Sequence, residues 1–551
     1  MALNTDSLAQ KKFDFDETVL ISKDKQIYSY KYMAIDGQNS KYFVGLFKGS
    51  ITIDTFTIST SNFISNSQYI NAAGVFMVKY DSNNNVKWLK KMAEADTLFD
   101  AKIRIDNSNN LVINYYFLSK IYLTNDSIVT QLGNSNINFV KYSSNGVLIN
   151  SAFFPGFAAI SDFAFSSNNS IYFTGYFGLQ SDTNYKYFIN NDTLTAERGD
   201  IIVGKLDTNF NKLWVKSYGG RGVDGALQLE LVENELYLLG GVNYDHFDVN
   251  VGGIIFSYPF NQNYYDKFYI AKLDSVGNGK WVRRFGNMYF QGYLGFFGPG
   301  DLIVKENRVY FAAAGWNDYQ NVFMFDGGPS YYGSILGRET IFIAYDTSGN
   351  FQFRTLVPGV SSISQLITDS NNSVVGVGGD EYSLKVVSYN SMGNFNWKAT
   401  SDADNLCTTV GSGIATDTHG KLYVVGGTNC IQLYMGNDTL YPPANQSTMF
   451  FSSLDSIDAN WAVGTNELAT ATAKLIVYPN PASDMLQIQM PVGNHKSQKI
   501  EIQNTTGHVV YSTLCKTEKL QLSIENFPNG IYFITYKNNW QSTTKKLLIQ
   551  H

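Results

Sequence analysis

One apolar run recurs along the chain, closing on Tyr or Leu and then Asp, Asn or Ser. It appears as VFMVKYD at 75–81, INFVKYS at 137–143, IIVGKLD at 201–207, FYIAKLD at 268–274, IFIAYD at 341–346, LKVVSYN at 384–390 and MFFSSLD at 449–455. Polar turns such as DSNNN, DSVGN and DTSGN follow it, and Asn and Gly there tolerate positive φ, so each reads as a hairpin turn. Six or seven residues after the Asp position stands a large apolar residue: Trp88, Ile149, Trp214, Trp281, Phe353, Trp397 or Trp461. Upstream of each copy lies an aromatic strand often ending in Gly, such as KYFVGLF at 41–47, IYFTGYF at 171–177 and LYVVGG at 422–427. A further short apolar strand precedes that one.

The pattern predicts four strands per unit and seven units. Near-continuous apolar stretches in the first three strands suit strands covered on both faces. Four-stranded units of this size fit an all-β, seven-bladed β-propeller over 25–461, with the repeated aromatic filling the gap between neighbouring blades. A β-solenoid would need a shorter period and more uniform strands. Residues 1–24 form an N-terminal segment. Its KKFDF stretch at 11–15 is placed as the last strand of the seventh blade, because the sequence after Trp461 leaves little room for one.

Composition sharpens the fold and narrows the chemistry. Only 16% of the 551 residues are charged, while 15% are aromatic and 47 are Gly. That profile suits many short strands joined by Gly/Asn/Asp turns. A net charge of −6 excludes the electrostatic footprint of a nucleic-acid binder. Five His and three Cys leave little for a metal site, so no metal and no cofactor are expected. No apolar run approaches the roughly 18 residues that would span a bilayer. The opening MALNTDSLAQKKFDF holds no signal-peptide core, and Met1-Ala2 fits a replaced leader.

Candidate binding residues gather in the connections between second and third strands, which are long in six units and very short at Asp380-Glu381-Tyr382. In a propeller these connections open on one face, where a rigid scaffold carries function. The fourth connection holds Tyr244, His246, Tyr264 and Tyr265; the fifth holds Trp316, Tyr319, Tyr331 and Tyr332. Aromatic faces beside amides and carboxylates suit sugar rings, and equally protein surfaces. The competing reading is that these stretches form extra edge strands. NDSIV at 125–129, NDTLT at 191–195 and NDTLY at 437–441 favour it. His246, flanked by Asp245 and Asp248, is the one histidine in such a loop. Asp81-Ser82-Asn83-Asn84-Asn85 resembles a calcium loop only in spacing and reads as a turn. No catalytic residue is assigned. Cys407 and Cys430 lie symmetrically about Thr418-His419, opposite each other if the hairpin pairs in register. A disulfide and two buried thiols both remain open.

After the small, polar linker at 462–473 the texture changes. Residues 474–551 alternate strands such as MLQIQM, KIEIQN and LQLSIE with turn signals, predicting a small Ig-like β-sandwich. Its ordered motifs are Tyr478-Pro479-Asn480-Pro481, Gly507 before Val509-Val510, Gly530-Ile531-Tyr532-Phe533, and the last strand around Lys546. In these the segment closely resembles the type A C-terminal sorting domain of the type IX secretion system. The repeats of 25–461 are similar to seven-bladed propeller repeats of secreted and surface proteins of Bacteroidetes. The resemblance implies export to the periplasm and passage through the type IX translocon with its outer-membrane shuttle and sortase components. It also implies cleavage near 462–474, with release or attachment to surface lipopolysaccharide. The expected function is non-catalytic binding or adhesion to a glycan or envelope protein. The alternative is an exported propeller hydrolase or lyase with its site in the central cavity.

Overall fold

A computed structural model describes residues 12–21, 27–60, 72–123, 136–178, 184–189, 191–243, 248–257, 267–287, 298–317, 322–329, 331–332, 337–380, 382–403, 407–436, 438–442, 448–457, 476–489, 498–504, 508–515, 519–537 and 542–551. The chain divides into two compact units, 1–461 and 462–551. The regular structure described in both is β. Trp461, Gly507 and the linker at 462–473 lie outside the described residues.

The larger unit is a β-propeller built from antiparallel four-strand sets. Ala158–Phe165, Ile171–Phe177, Asp200–Leu206 and Lys212–Tyr218 form one set in sequence order. The sets beginning at Val223, Gly298 and Ser362 repeat that order. At the start of the unit two sets share one sheet, because Val86–Ile105 is the outer strand of the first and the inner strand of the second. In the last set Lys12–Leu20 takes the outer place against Thr448–Ile457, with Phe15 opposite Leu454. The N-terminus thereby pairs with the end of the propeller.

The repeated turn has a physical cause. The carboxylate of Asp81 accepts the backbone N–H groups of Asn83 and Asn85, both at 2.9 Å. Asp207, Asp274 and Asp346 repeat this bond pair with their own turns. So Asp81 caps a hairpin, and its side chain is taken by the turn itself.

Beyond each turn the outer strand carries a one-residue bulge, and the repeated aromatic stands just after it. Trp88 pairs with Lys79, Trp214 with Lys205 and Trp281 with Lys272. The aromatic reaches the turn of the next set: Trp281 Nε1–H donates to Thr347 O at 3.0 Å. Gly349, at φ 83°, has no room for a side chain, since a Cβ would stand 2.8 Å from the Trp281 ring. Ile149 departs from the expectation. It is the bulged residue itself and is 53% exposed, while Asn150 pairs with Lys141 in the aromatic's place. Asn150 Nδ2–H donates to Asn209 O at 2.9 Å, so an amide bridges the sets where a ring does elsewhere.

The long connections fold largely as small hairpins. Examples are Tyr185–Ile189 with Asp192–Ala196, Val249–Val251 with Ile254–Phe256, and Leu433–Met435 with Asp438–Leu440. They hold the outer strand of the preceding set. Tyr187 Oη–H donates to Phe154 O at 2.8 Å, Asn250 bridges Gly219, and Val322–Phe325 pairs with the end of Gly279–Asn287. These hairpins therefore cover edges that would otherwise be open to pairing.

The smaller unit is a β-sandwich of a three-stranded and a four-stranded sheet. Leu486, Ile488, Ile500, Ile502, Ile534 and Leu547 fill its core.

Candidate functional site

The inner strands each carry a bulge on the side of the second strand, for example between Ile160 and Asp162, Ala226 and Gln228, and Ile363 and Gln365. Each bulge turns a polar side chain toward the next inner strand. Asp162 Oδ2 accepts the N–H of Leu229 at 3.0 Å, Asp301 Oδ2 that of Leu366 at 2.8 Å, and Gln365 Oε1 that of Ile414 at 2.9 Å. Gln228 Nε2–H donates to Gly300 O at 3.1 Å.

These strands surround a central cavity of about 730 Å³, lined among others by Tyr32, Lys102, Arg104, Glu230, Asp301 and Gln365. Lys102 Nζ lies 2.6 Å and Arg104 Nη2 3.0 Å from the same oxygen of Asp162. Burial works to raise the Asp162 carboxyl, but Arg104 and Lys102 hold it below the usual range. Burial pushes Glu230 up to about 8, with Arg104 opposing and Asp301 and Asp162 adding to the rise. Burial likewise takes Asp301 to about 6. Glu230 is therefore largely a neutral acid at pH 7. Sequence reading missed this cluster, because its members sit in seven distant segments and only inner-strand registry converges them.

A second acidic site joins two adjacent sets. Asp200 opens a third strand and Asp224 lies near the start of the next inner strand. Asp224 Oδ2 accepts the N–H of Gly220 at 2.7 Å. Burial, followed by repulsion from Asp224, pushes Asp200 up to about 8, and burial takes Asp224 to about 7. Among the described residues no three His, Cys, Asp or Glu side chains converge as a metal centre.

The expected loop site is only partly visible. Tyr244, His246, Tyr264, Tyr265 and Tyr319 lie outside the described residues. Trp316 is not in a loop: it extends the strand Arg308–Asn317 and pairs with Arg338. Tyr331 and Tyr332 are also strand residues, opposite Phe323 and Val322. Their segments were read as loops because extended pairing beyond a Gly leaves no periodic signal. Cys407 and Cys430 are joined by a disulfide.

In the smaller unit Tyr478-Pro479 and Asn480-Pro481 are both cis, and Tyr478 is partly exposed. Asn480 lies against the last strand: its Oδ1 accepts Leu548 N–H at 2.8 Å and its Nδ2–H donates to Lys546 O at 2.9 Å. Gly530 opens a strand, paired with Ile549. Tyr532 Oη–H donates to Pro528 O at 2.8 Å, and Lys546 is exposed. Residues 476–550 match the family described as secretion system C-terminal sorting domain. The C-terminal unit is a sorting domain. That domain supports secretion through the type IX system to the cell surface. No helix among the described residues is long and apolar enough to cross a membrane.

Other comparisons reach beyond the tail family. A WD repeat-containing protein of Acanthamoeba polyphaga mimivirus is 28% identical over 176 residues, 28% of this chain and 12% of that protein. The matched chain thus spans about an eighth of that relative. PorZ, a surface component of the type IX system of Porphyromonas gingivalis, aligns over 95% of this chain and 93% of its own at 11% identity, TM-score 0.17. Drosophila semaphorin 2a aligns over 97% and 96% at 8% identity, TM-score 0.39.

Proposed function

We propose that the sorting domain delivers a seven-bladed propeller to the outer surface, where it acts as a non-catalytic binding or adhesion module. On this reading the four-strand sets are seven blades of one closed ring, and the translocon, its shuttle and its sortase engage the tail. Attachment to lipopolysaccharide or release follows. The ligand is a glycan or an envelope protein, taken on the face carrying the Tyr-, Trp- and Asn-rich connections around Trp316, Tyr331 and Tyr332.

One observation carries this reading. Lys102 and Arg104 are both committed to Asp162, while Gln228, Asp301 and Gln365 bond the neighbouring backbone. These contacts tie neighbouring inner strands together, which supports a rigid scaffold that presents its connections for binding. The test is a glycan array together with pull-down on outer-membrane proteins, using the wild type and Trp316→Ala. Binding lost in the variant supports the loop face; binding by neither probe set removes the reading.

A second reading has its own support. Glu230, raised to about 8 beside Arg104, has the protonation a general acid needs at neutral pH. Turnover of a polysaccharide panel that disappears in Glu230→Gln would decide for an enzyme.

A further inference from the structure

The Asp200–Asp224 pair has a feature that packing does not explain. Asp200 is 7% and Asp224 1% exposed, yet Oδ1 of each has no hydrogen-bond partner. Neither carboxyl forms an ion pair among the described residues; Arg221, the nearby cation, lies by Glu197 at 3.8 Å, and both are exposed. Leaving buried carboxyl oxygens unmatched is costly, so such atoms call for a partner.

The surroundings say what kind. Asp200 lines a cleft together with Thr195, Glu197, Arg221 and Asp248. Its floor is the backbone of Gly219-Gly220. A Cβ on Gly219 would stand 2.2 Å from Asp200 Oδ1, and one on Gly220 would stand 2.5 Å from Asp248 O and 3.6 Å from Asp224 Oδ2. Glycine at both places leaves carboxyl and carbonyl oxygens gathered around a strip of bare main chain. An all-oxygen donor set suits a hard cation, and calcium accepts carboxylates, backbone carbonyls and waters in flexible geometry. Magnesium demands a stricter octahedron.

We propose that Asp200 and Asp224 bind a calcium ion, with backbone carbonyls and water completing its shell. The ion links two neighbouring sets, since Asp200 belongs to the third strand of one and Asp224 to the inner strand of the next. It acts as a clamp between adjacent blades and is distinct from the central cavity.

The test is calorimetric titration of the full chain with calcium chloride at pH 8, alongside thermal melts with calcium and with EGTA. One bound ion per chain is expected, with a saturable rise in melting temperature that EGTA reverses. Asp224→Asn, nearly the same shape, should weaken affinity about tenfold or more, as loss of one charged ligand does. Arg221→Ala, at the exposed rim, should bind at least as well as wild type. No heat and no melting shift in the wild type overturns the proposal. So does an undiminished shift in Asp200→Asn/Asp224→Asn. The wild-type measurement stands even if a variant fails to fold.

Discussion

Asp162 accepts the backbone N–H of Leu229 across the joint between two sets, at 3.0 Å, while its other oxygen holds Lys102 and Arg104. One buried carboxylate thus ties three inner strands. Asp162→Ala leaves two cations and an amide without their partner, a loss of about 3 kcal/mol. Asp162→Asn keeps an acceptor for Leu229 and should cost less. Chemical unfolding monitored by tryptophan fluorescence should rank the three proteins in that order, and an Asn variant as weak as Ala would contradict the role given to the Leu229 bond.

Glu230 sets the sign of a pH effect. Its folded pKa of about 8 lies above the ordinary carboxylate value, so between roughly pH 4.5 and 8 the folded chain binds a proton that the unfolded chain has released. Stability from this group therefore falls as pH rises through that window and levels off above about 8. Asp301, raised to about 6, adds a decline that ends earlier. Asp81 and Asp380, lowered to about 2, act oppositely: their contribution is present above the ordinary carboxylate range and is lost as pH falls toward 2. Melting temperature against pH should drop from about 5 to 8, and Glu230→Gln should make that limb shallower, with Asp200 and Asp224, raised to about 8 and about 7, supplying the rest.

The fold was legible because hairpin chemistry and burial are local. The Asp turns, the aromatic after them and the Gly-ended strands follow from short-range rules, and so does the alternation in the tail. What stayed hidden depends on bulges. The bulge puts the bridging residue seven places after the first residue of the turn; in the second set that place is Asn150, and the apolar Ile149 one place earlier, the bulged residue itself, draws the reading instead. The cavity cluster was hidden for the same reason, since its members are aligned only by bulged inner strands.

That difference is measurable at the joints between sets. Trp281→Ala removes a buried ring and its bond to Thr347 O, and should cost about 3–5 kcal/mol. Ile149→Ala, at an exposed bulge, should stay within about 0.5 kcal/mol. Equal losses at the two positions would return Ile149 to the core.

The tail offers a test of delivery. Asn480→Ala strips two hydrogen bonds from the last strand, worth about 1–3 kcal/mol together. Limited proteolysis of the full chain should then cut faster within the sorting domain. Expressed behind an export leader in a host with the type IX system, a chain lacking 474–551 should accumulate in the periplasm. Surface display of that truncated chain would separate the propeller's export from its tail.

The register at the disulfide is reached through a single bulged residue. From the turn upward the hairpin pairs Thr416 with Leu422 and Gly413 with Val425; beyond Ser412 the register shifts to Gly411 with Gly426 and Thr409 with Thr428. Only the shifted register carries Cys407 opposite Cys430, as an unbroken ladder would set Cys407 against Ile431. Deleting Ser412 removes the extra residue and leaves Gly411 opposite Gly426, so Cys407 still faces Cys430 and the bond should persist. Titration of the unfolded protein should count one thiol, from Cys515, in both the wild type and the deletion. Cross-linking residues 23 apart contributes about 2–4 kcal/mol, so Cys407→Ser/Cys430→Ser should melt lower and lose sensitivity to reductant. Three thiols in the wild type would mean the hairpin closes without the bond, and three in the deletion would mean that the bulge itself is needed to seat the two cysteines.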